Sequence, residues 1–184
     1  MRPPLSVSRT LKGIGYGLLC LFLVWLGGSV VHAFTSARIM AHKSTCSANV
    51  KQILLGNALY MHDWDERLPP SQQWATAGGP HIAPSSEAPI WHCPDAGSPY
   101  SYAFNAALGG VSSSDMAEPA LTVEIFEADA NVWNAVGGKS QLAKEPRHPW
   151  GLHYGFADGH VNGYRANPEQ LQWQPLLLPG EKRH

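Results

Sequence analysis

The stretch that decides the fold lies near the end of the chain, where residues 147–161 read RHPWGLHYGFADGHV. Apolar side chains alternate along its first half, which is the period of a half-buried strand; they are Leu152, Tyr154 and Phe156. The Asp158-Gly159 pair that follows is typical of a two-residue hairpin turn, because a type I′ turn needs φ > 0 at both central positions. We therefore expect a β-hairpin in which Val161 shares a face with Phe156.

The same hairpin holds a group of polar side chains that could bind a cation, namely His148, His153, Asp158 and His160. With a two-residue turn, Ala157 faces His160, so His153 and His160 project from the same face of the sheet. A zinc site would need three or four such ligands in good geometry. We favour a structural role instead, in which His148 bonds the turn or the Asp158 carboxylate.

A second polar group is acidic and follows a predicted helix; its members are Asp63, Asp65 and Glu66. Oxygen-rich clusters of this kind can bind Ca²⁺, which takes six to eight oxygen ligands. The EF-hand pattern is missing, however, and Arg67 is close enough in sequence to pair with Asp63 or Asp65. Ca²⁺ therefore stays an alternative, and we expect no bound cofactor.

The N-terminal part of the chain has the composition of a membrane span. Residues 14–34 contain no Asp, Glu, Lys or Arg, and a helix of about 20 apolar residues crosses a bilayer. Basic residues precede the stretch, which favours a cytoplasmic N-terminus over 1–12 and a transmembrane helix over 13–35. The alternative is a signal peptide cleaved after Ala33, since Val31-His32-Ala33 has the required small residues.

Beyond the span, apolar positions recur every three or four residues, the spacing of an amphipathic helix; they are Cys46, Val50, Ile53 and Met61, with Asn57 among them. We expect this helix to continue the membrane span over 36–66. Pro69-Pro70 ends it, because proline cannot continue a helix.

The remainder predicts a small, loop-rich β domain over 67–166 and a C-terminal tail over 167–184. Its predicted strands lie at 101–104, 121–128, 152–157 and 160–165, the second being the best central strand by β-propensity. The fold class is therefore α+β, with a long N-terminal helix packed on a small antiparallel sheet.

Composition and motifs exclude several functions. The chain has 13 basic and 14 acidic residues and a net charge of −1, so it offers no surface for nucleic acid. The sequence contains no phosphate-binding loop, dinucleotide-binding fingerprint, zinc-protease motif or nucleophile elbow. We expect no enzymatic activity.

Four segments carry a resemblance to a known family. They are residues 45–53 (TCSANVKQI) with 60–70 (YMHDWDERLPP), residues 91–95 (WHCPD), residues 101–105 (SYAFN), and His148 with Asp158-Gly159. In this order they resemble pilin-like proteins with a prepilin-type H-X9-DG domain, which are single-pass membrane proteins related to type II secretion pseudopilins. Residues 11–19 (LKGIGYGLL) lack the glutamate of the family's prepilin-peptidase site, so we expect an unprocessed N-terminus.

The resemblance also implies a disulfide between Cys46 and Cys93. An exported location agrees with it, because disulfides persist in oxidising compartments. The alternative is a pair of free, buried thiols. The sequence does not favour zinc at these cysteines, since neither belongs to a CxxC pair.

Together these features predict a non-enzymatic subunit of a membrane-associated complex. We expect it in the bacterial inner (cytoplasmic) membrane, with its C-terminal domain periplasmic or extracellular. Its partners would be membrane lipid and other membrane-protein subunits, contacted through the transmembrane helix and the exported domain. One alternative is a minor pseudopilin of a type II secretion or type IV pilus system. Another is a secreted metal- or ligand-binding domain released by signal peptidase.

Overall fold

The computed structural model describes residues 7–149, 151–164 and 170–176. The chain divides into two compact units, Met1–Ala41 and His42–His184. The first helix, α1, spans Val7–Asp63 and contributes residues to both units. Most of the predicted tail over 167–184, and half of the predicted cytoplasmic segment over 1–12, lie outside the described residues.

The first unit is an apolar helical segment. By length and composition, the helix from Lys12 contains a stretch that can cross a membrane, and none of that stretch is buried by protein. Its exposed side chains include large apolar ones such as Phe22, Val24 and Trp25. This agrees with the predicted membrane span.

The second unit packs the end of α1 on a sheet. α1 stops at Asp63, and Asp65 and Glu66 adopt left-handed φ values of 51° and 56°. Loops, short 3-10 helices and a short helix α2 at Trp74–Gly78 follow. The helix thus ends before Pro69-Pro70, a few residues earlier than predicted.

The sheet has five strands in the order β3-β1-β2-β4-β5. They are β1 at Tyr100–Asn105, β2 at Val123–Ala130, β3 at Val136–Gly137, β4 at Leu152–Phe156 and β5 at Val161–Tyr164. The predicted α+β class is confirmed. The sheet is mixed and not purely antiparallel, because the two-residue strand β3, which the sequence did not predict, pairs parallel with β1.

Each face of the sheet carries a core. Val50, Ile53 and Leu54 of α1 pack against Phe104 and Ile125 on one face. The other face buries aromatic and aliphatic side chains under the segment that contains Leu171; they include Phe126, Leu152, Tyr154 and Phe156. The strands are therefore largely buried on both faces.

Gly155 marks the closest approach of α1 to the sheet. A Cβ atom built there would lie 2.8 Å from both Leu54 Cδ1 and Val50 Cγ1. Only glycine lets the helix lie this close to β4.

The hairpin turn differs from the prediction. Phe156 N–H donates to His160 O, and Gly159 N–H donates to Phe156 O. Gly159 alone in the turn has positive φ, at 86°. The loop therefore holds Ala157, Asp158 and Gly159, as in a type I turn followed by a left-handed residue.

This extra loop residue shifts the register by one. Gly155 pairs with Val161, and His153 pairs with Gly163. Val161 thus packs toward the α1 core and does not share a face with Phe156. His160 instead stacks on Phe156, with ring centroids 4.2 Å apart. The expectation that His153 and His160 share a face is wrong.

Candidate functional site

A buried carboxylate, Glu127, is the centre of the main polar cluster. It lies in the middle of β2, is completely inaccessible to solvent and pairs across the sheet with Tyr102 of β1. Strand alternation turns its side chain toward α1, on the same face as Ile125. An ionised carboxylate in this position needs hydrogen-bond donors or counter-charges, because burial without them is costly.

Two histidines supply those partners. His148 Nε2 lies 3.2 Å from Glu127 Oε1. The backbone N–H of His153 donates to Glu127 Oε2 at 2.8 Å. Burial raises the pKa of Glu127, but donors on His148 and His153 outweigh that effect and hold its pKa at about 2. Glu127 is therefore ionised at neutral pH.

His148 sits where the chain enters the hairpin. It forms an isolated bridge with Gly151, whose φ of 113° turns the chain sharply into β4. Its second ring nitrogen, Nδ1, lies 3.2 Å from Asp95 Oδ2. Asp95 Oδ1 in turn contacts His42 Nδ1 at 2.5 Å. A chain of carboxylates and imidazoles thus runs from the interior to the partly exposed pair of Asp95 and His42.

The disulfide lies directly beside this series of carboxylates and imidazoles. Cys46 of α1 and Cys93 form the expected disulfide, with Cα atoms 5.2 Å apart. Cys93 Sγ lies 3.7 Å from His148 Nε2. Within the described residues, one potential ligand atom from each of Cys46, Cys93, Glu127 and His148 falls within 4.8 Å of the others. We call these four residues the Cys-Glu-His cluster.

A second buried carboxylate lies on the same side of the sheet. Asn57 of α1 donates to Glu124 Oε1 at 2.8 Å, and Glu124 is nearly inaccessible to solvent. The pairing of β2 with β4 is irregular between Val123 and Ile125. Burial raises the pKa of Glu124 to about 7, against the smaller opposing effect of the Asn57 hydrogen bond.

The candidate ligands named from the sequence do not form one site. His148 and His153 meet at Glu127, whereas Asp158 and His160 pair with each other at the hairpin tip, with Oδ1 and Nδ1 2.6 Å apart. The expected bond of His148 to the turn or to Asp158 is wrong: its side-chain partners are Glu127 and Asp95.

The acidic group at the end of α1 belongs neither to the cluster around Glu127 nor to the pair at the hairpin tip. Asp63, Asp65 and Glu66 are all exposed. Arg67 donates to Gly110 O at 3.0 Å. Among the described residues, no ion pair joins Arg67 to Asp63 or Asp65.

Glu127 and Asp95 escaped the sequence analysis, although one signal for Glu127 was available. Glu124 and Glu127 are charged residues inside the predicted central strand 121–128, and a carboxylate buried in a strand must find partners. For Asp95 no comparable local signal exists, because it lies in a loop.

Comparison of the chain with family models, with curated proteins and with solved structures found no match. The resemblance to pilin-like proteins with an H-X9-DG domain thus stays a hypothesis that rests on the four sequence segments.

Proposed function

We propose that this chain is a non-enzymatic single-pass membrane protein whose exported, pilin-like domain acts as a structural or accessory subunit of a membrane-associated complex. The observation that carries the proposal is the apolar helix of the first unit, which no part of the protein buries. Such a surface requires lipid or partner helices around it.

The disulfide supports an exported domain. Cys46 and Cys93 are both fully buried and bonded, and disulfides of this kind persist in oxidising compartments and are rare in the cytosol. An N-terminus on the cytoplasmic side of the inner membrane would place the His42–His184 unit in the periplasm or outside the cell.

The outer side of α1 in the second unit supports a role in assembly. Leu55 and Leu59 lie one helical turn apart and are 54% and 39% exposed, and Trp64 is 60% exposed. Tyr60 stacks on Trp64 with ring centroids 5.5 Å apart. Exposed leucine and aromatic side chains of this kind fit a docking surface for another subunit.

The closed polar cluster supports a role without catalysis. Glu127, His148 and His153 are buried, and they contact one another, the disulfide and, through His148, Asp95. Catalysis needs a reacting group within reach of a substrate, which this enclosed arrangement does not offer.

Membrane anchoring is tested with full-length protein in a Gram-negative host. Wild type should remain in the membrane pellet after alkaline carbonate extraction. The double variant Leu23→Arg/Val24→Arg should be released, since each arginine costs roughly 2.5–3.5 kcal/mol at the centre of a span. Leu55→Arg is the matched control: Leu55 lies outside the predicted span, so this variant should stay in the membrane pellet.

Intact-mass measurement of the native protein separates the alternatives. We expect the full chain, apart from removal of the initiator methionine. Cleavage near Gly13 would favour a minor pseudopilin, and a chain that starts at Phe34 in the soluble fraction would favour a secreted domain. Either result would overturn the proposal.

A further inference from the structure

We propose that reduction of the Cys46–Cys93 disulfide turns the Cys-Glu-His cluster into a tetrahedral site for a zinc-type divalent cation. The ligands are the Sγ atoms of Cys46 and Cys93, Oε1 of Glu127 and Nε2 of His148. In the oxidised protein the two sulfurs are bonded to each other and cannot act as thiolates. The disulfide would thus decide whether the site exists.

Two of the donor-to-donor distances match this geometry. Zinc bond lengths of about 2.3 Å to sulfur and about 2.0–2.1 Å to nitrogen and oxygen, at tetrahedral angles, separate sulfur from nitrogen by about 3.6 Å and nitrogen from oxygen by about 3.3 Å. Cys93 Sγ lies 3.7 Å from His148 Nε2, and His148 Nε2 lies 3.2 Å from Glu127 Oε1. All four donor atoms lie within 4.8 Å of one another, and rotation of the cysteine side chains can separate the two sulfurs once their bond is broken.

Outer partners already orient two of these ligands. A histidine that binds zinc through one nitrogen usually donates from the other to a carboxylate, and ligating carboxylates are themselves hydrogen-bonded. His148 Nδ1 faces Asp95 Oδ2 at 3.2 Å. Glu127 Oε2 accepts from the backbone of His153 at 2.8 Å. The pattern expected around a metal site is therefore present before any metal binds.

A buried nitrogen that makes no hydrogen bond points to the same place. His153 Nδ1 makes no hydrogen bond, although its side chain is only 4% exposed. It lies 3.6 Å from Glu127 Oε2. Buried polar atoms are rarely left unpaired. A further nitrogen beside Glu127 could hydrogen-bond a metal-bound carboxylate or approach the cation itself.

The redox step balances with a dithiol as reductant. The dithiol supplies two electrons and two protons, the S–S bond of the protein breaks, and the reductant becomes a disulfide while two cysteine thiols form. Cation binding then releases both thiol protons to solvent, because the ligands are thiolates. A disulfide oxidant reverses the step: it takes two electrons from the two thiolates and two protons from solvent to become a dithiol, while the Cys46–Cys93 bond re-forms and the cation is released.

The test uses full-length protein in detergent micelles, with Cys20→Ala in every sample so that Cys46 and Cys93 are the sole source of thiols. The protein is reduced with dithiothreitol, desalted without oxygen and titrated with Co²⁺. We expect sulfur-to-cobalt charge-transfer bands and the strong visible bands of tetrahedral Co²⁺, saturating at a single ion per chain. Zn²⁺ should displace the cobalt, and the oxidised protein should show no bands.

Variants identify the ligands. Glu127→Gln and His148→Ala should each weaken Co²⁺ binding and change the visible bands while the charge-transfer bands persist. Asp95→Asn should weaken binding about 10- to 100-fold, as loss of an outer partner does. His160→Ala is the matched control and should bind like wild type, because His160 lies at the hairpin tip beside Asp158.

Circular dichroism shows whether the reduced protein is still folded, so that a failure to bind metal can be told from a loss of structure. If the reduced protein keeps its native spectrum and shows no cobalt bands, the proposal is wrong. If it loses that spectrum, Co²⁺ should restore the spectrum and produce the bands, since metal binding contributes folding free energy; failure to do so also overturns the proposal. If Glu127→Gln and His148→Ala both bind Co²⁺ like wild type, the two cysteines alone account for the binding, and the four-ligand site is refuted.

Discussion

Glu127 Oε1 and His148 Nε2 lie 3.2 Å apart, and both side chains are buried. This contact ties the middle of β2 to the residue at which the chain enters the β4–β5 hairpin. The histidine of the hairpin segment therefore anchors the hairpin to the central strand. Asp158, ten residues further along, serves the turn alone.

Removing His148 should destabilise the domain strongly. His148→Ala leaves the ionised Glu127 buried without its ring donor, and breaking a buried pair in this way costs roughly 3–5 kcal/mol. Chemical unfolding of the oxidised full chain in micelles, followed by near-ultraviolet circular dichroism, would measure the loss. Chelator should have no effect on this oxidised form.

The Glu127–His148 contact should also make the effects of the two substitutions on the free energy of unfolding non-additive. Glu127→Gln/His148→Ala should lose less free energy of unfolding than the two single losses together, by about 0.5–3 kcal/mol, as for other residues in direct contact. His160→Ala is the control: His160 contacts Phe156 and Asp158 and not Glu127, so its loss should add to that of Glu127→Gln within about 0.5 kcal/mol. Strict additivity of the two single variants would contradict the contact.

Stability should fall as pH rises because of Glu124. Its pKa is raised from 4.5 to about 7 in the folded protein. Between these values the folded state holds a proton that the unfolded state releases, so the free energy of unfolding decreases by about 3 kcal/mol and then levels off above pH 7.

Glu124→Gln is the matched variant for that pH dependence. Its amide oxygen can still accept the Asn57 hydrogen bond, but it carries no titrating proton. We expect the variant to lose the decrease between pH 4.5 and pH 7 that wild type shows in urea unfolding. Identical pH profiles for the two proteins would exclude Glu124 as the cause.

Two of the hairpin's glycines, Gly159 and Gly163, should respond differently to valine. Gly159 has a φ of 86°, where a β-branched residue is strained, so Gly159→Val should cost about 1–3 kcal/mol. Gly163 lies in β5 with its nearest neighbouring atoms 3.9 Å from a built Cβ. Gly163→Val should change stability by less than about 0.5 kcal/mol, and an equal loss at both positions would refute the turn geometry.

Reduction of the disulfide should destabilise the apo protein. Cys46 and Cys93 are 47 residues apart in sequence, and closing a loop of that length stabilises by about 4 kcal/mol in the chain-entropy model. Thermal unfolding with and without dithiothreitol, in the presence of chelator, should show the difference. Cys46→Ala/Cys93→Ala should be insensitive to the reductant, and alkylation of both cysteines without reduction would disprove the bond.

Local patterns were enough to predict most of the elements. The apolar stretch, the three-to-four-residue spacing around Val50 and Ile53, and the alternation before Asp158 each depend on neighbours within a few turns. The hairpin register was missed for a physical reason. Asp158-Gly159 suits a two-residue loop and also a three-residue loop, because both need Gly159 at positive φ. Packing in the sheet selects the second, with Val161 toward α1 and His160 on Phe156.

The sequence by itself determined the long helix, the α+β class and the main strands, since composition and short-range periodicity encode them. Only the tertiary structure decided the site. Asp95, Glu127 and His148 come from a loop, the central strand and the entry to the hairpin. No local signal relates segments so far apart in sequence. They meet because strand pairing sets Glu127 opposite the start of β4, where burial of its charge requires the donors of His148 and His153.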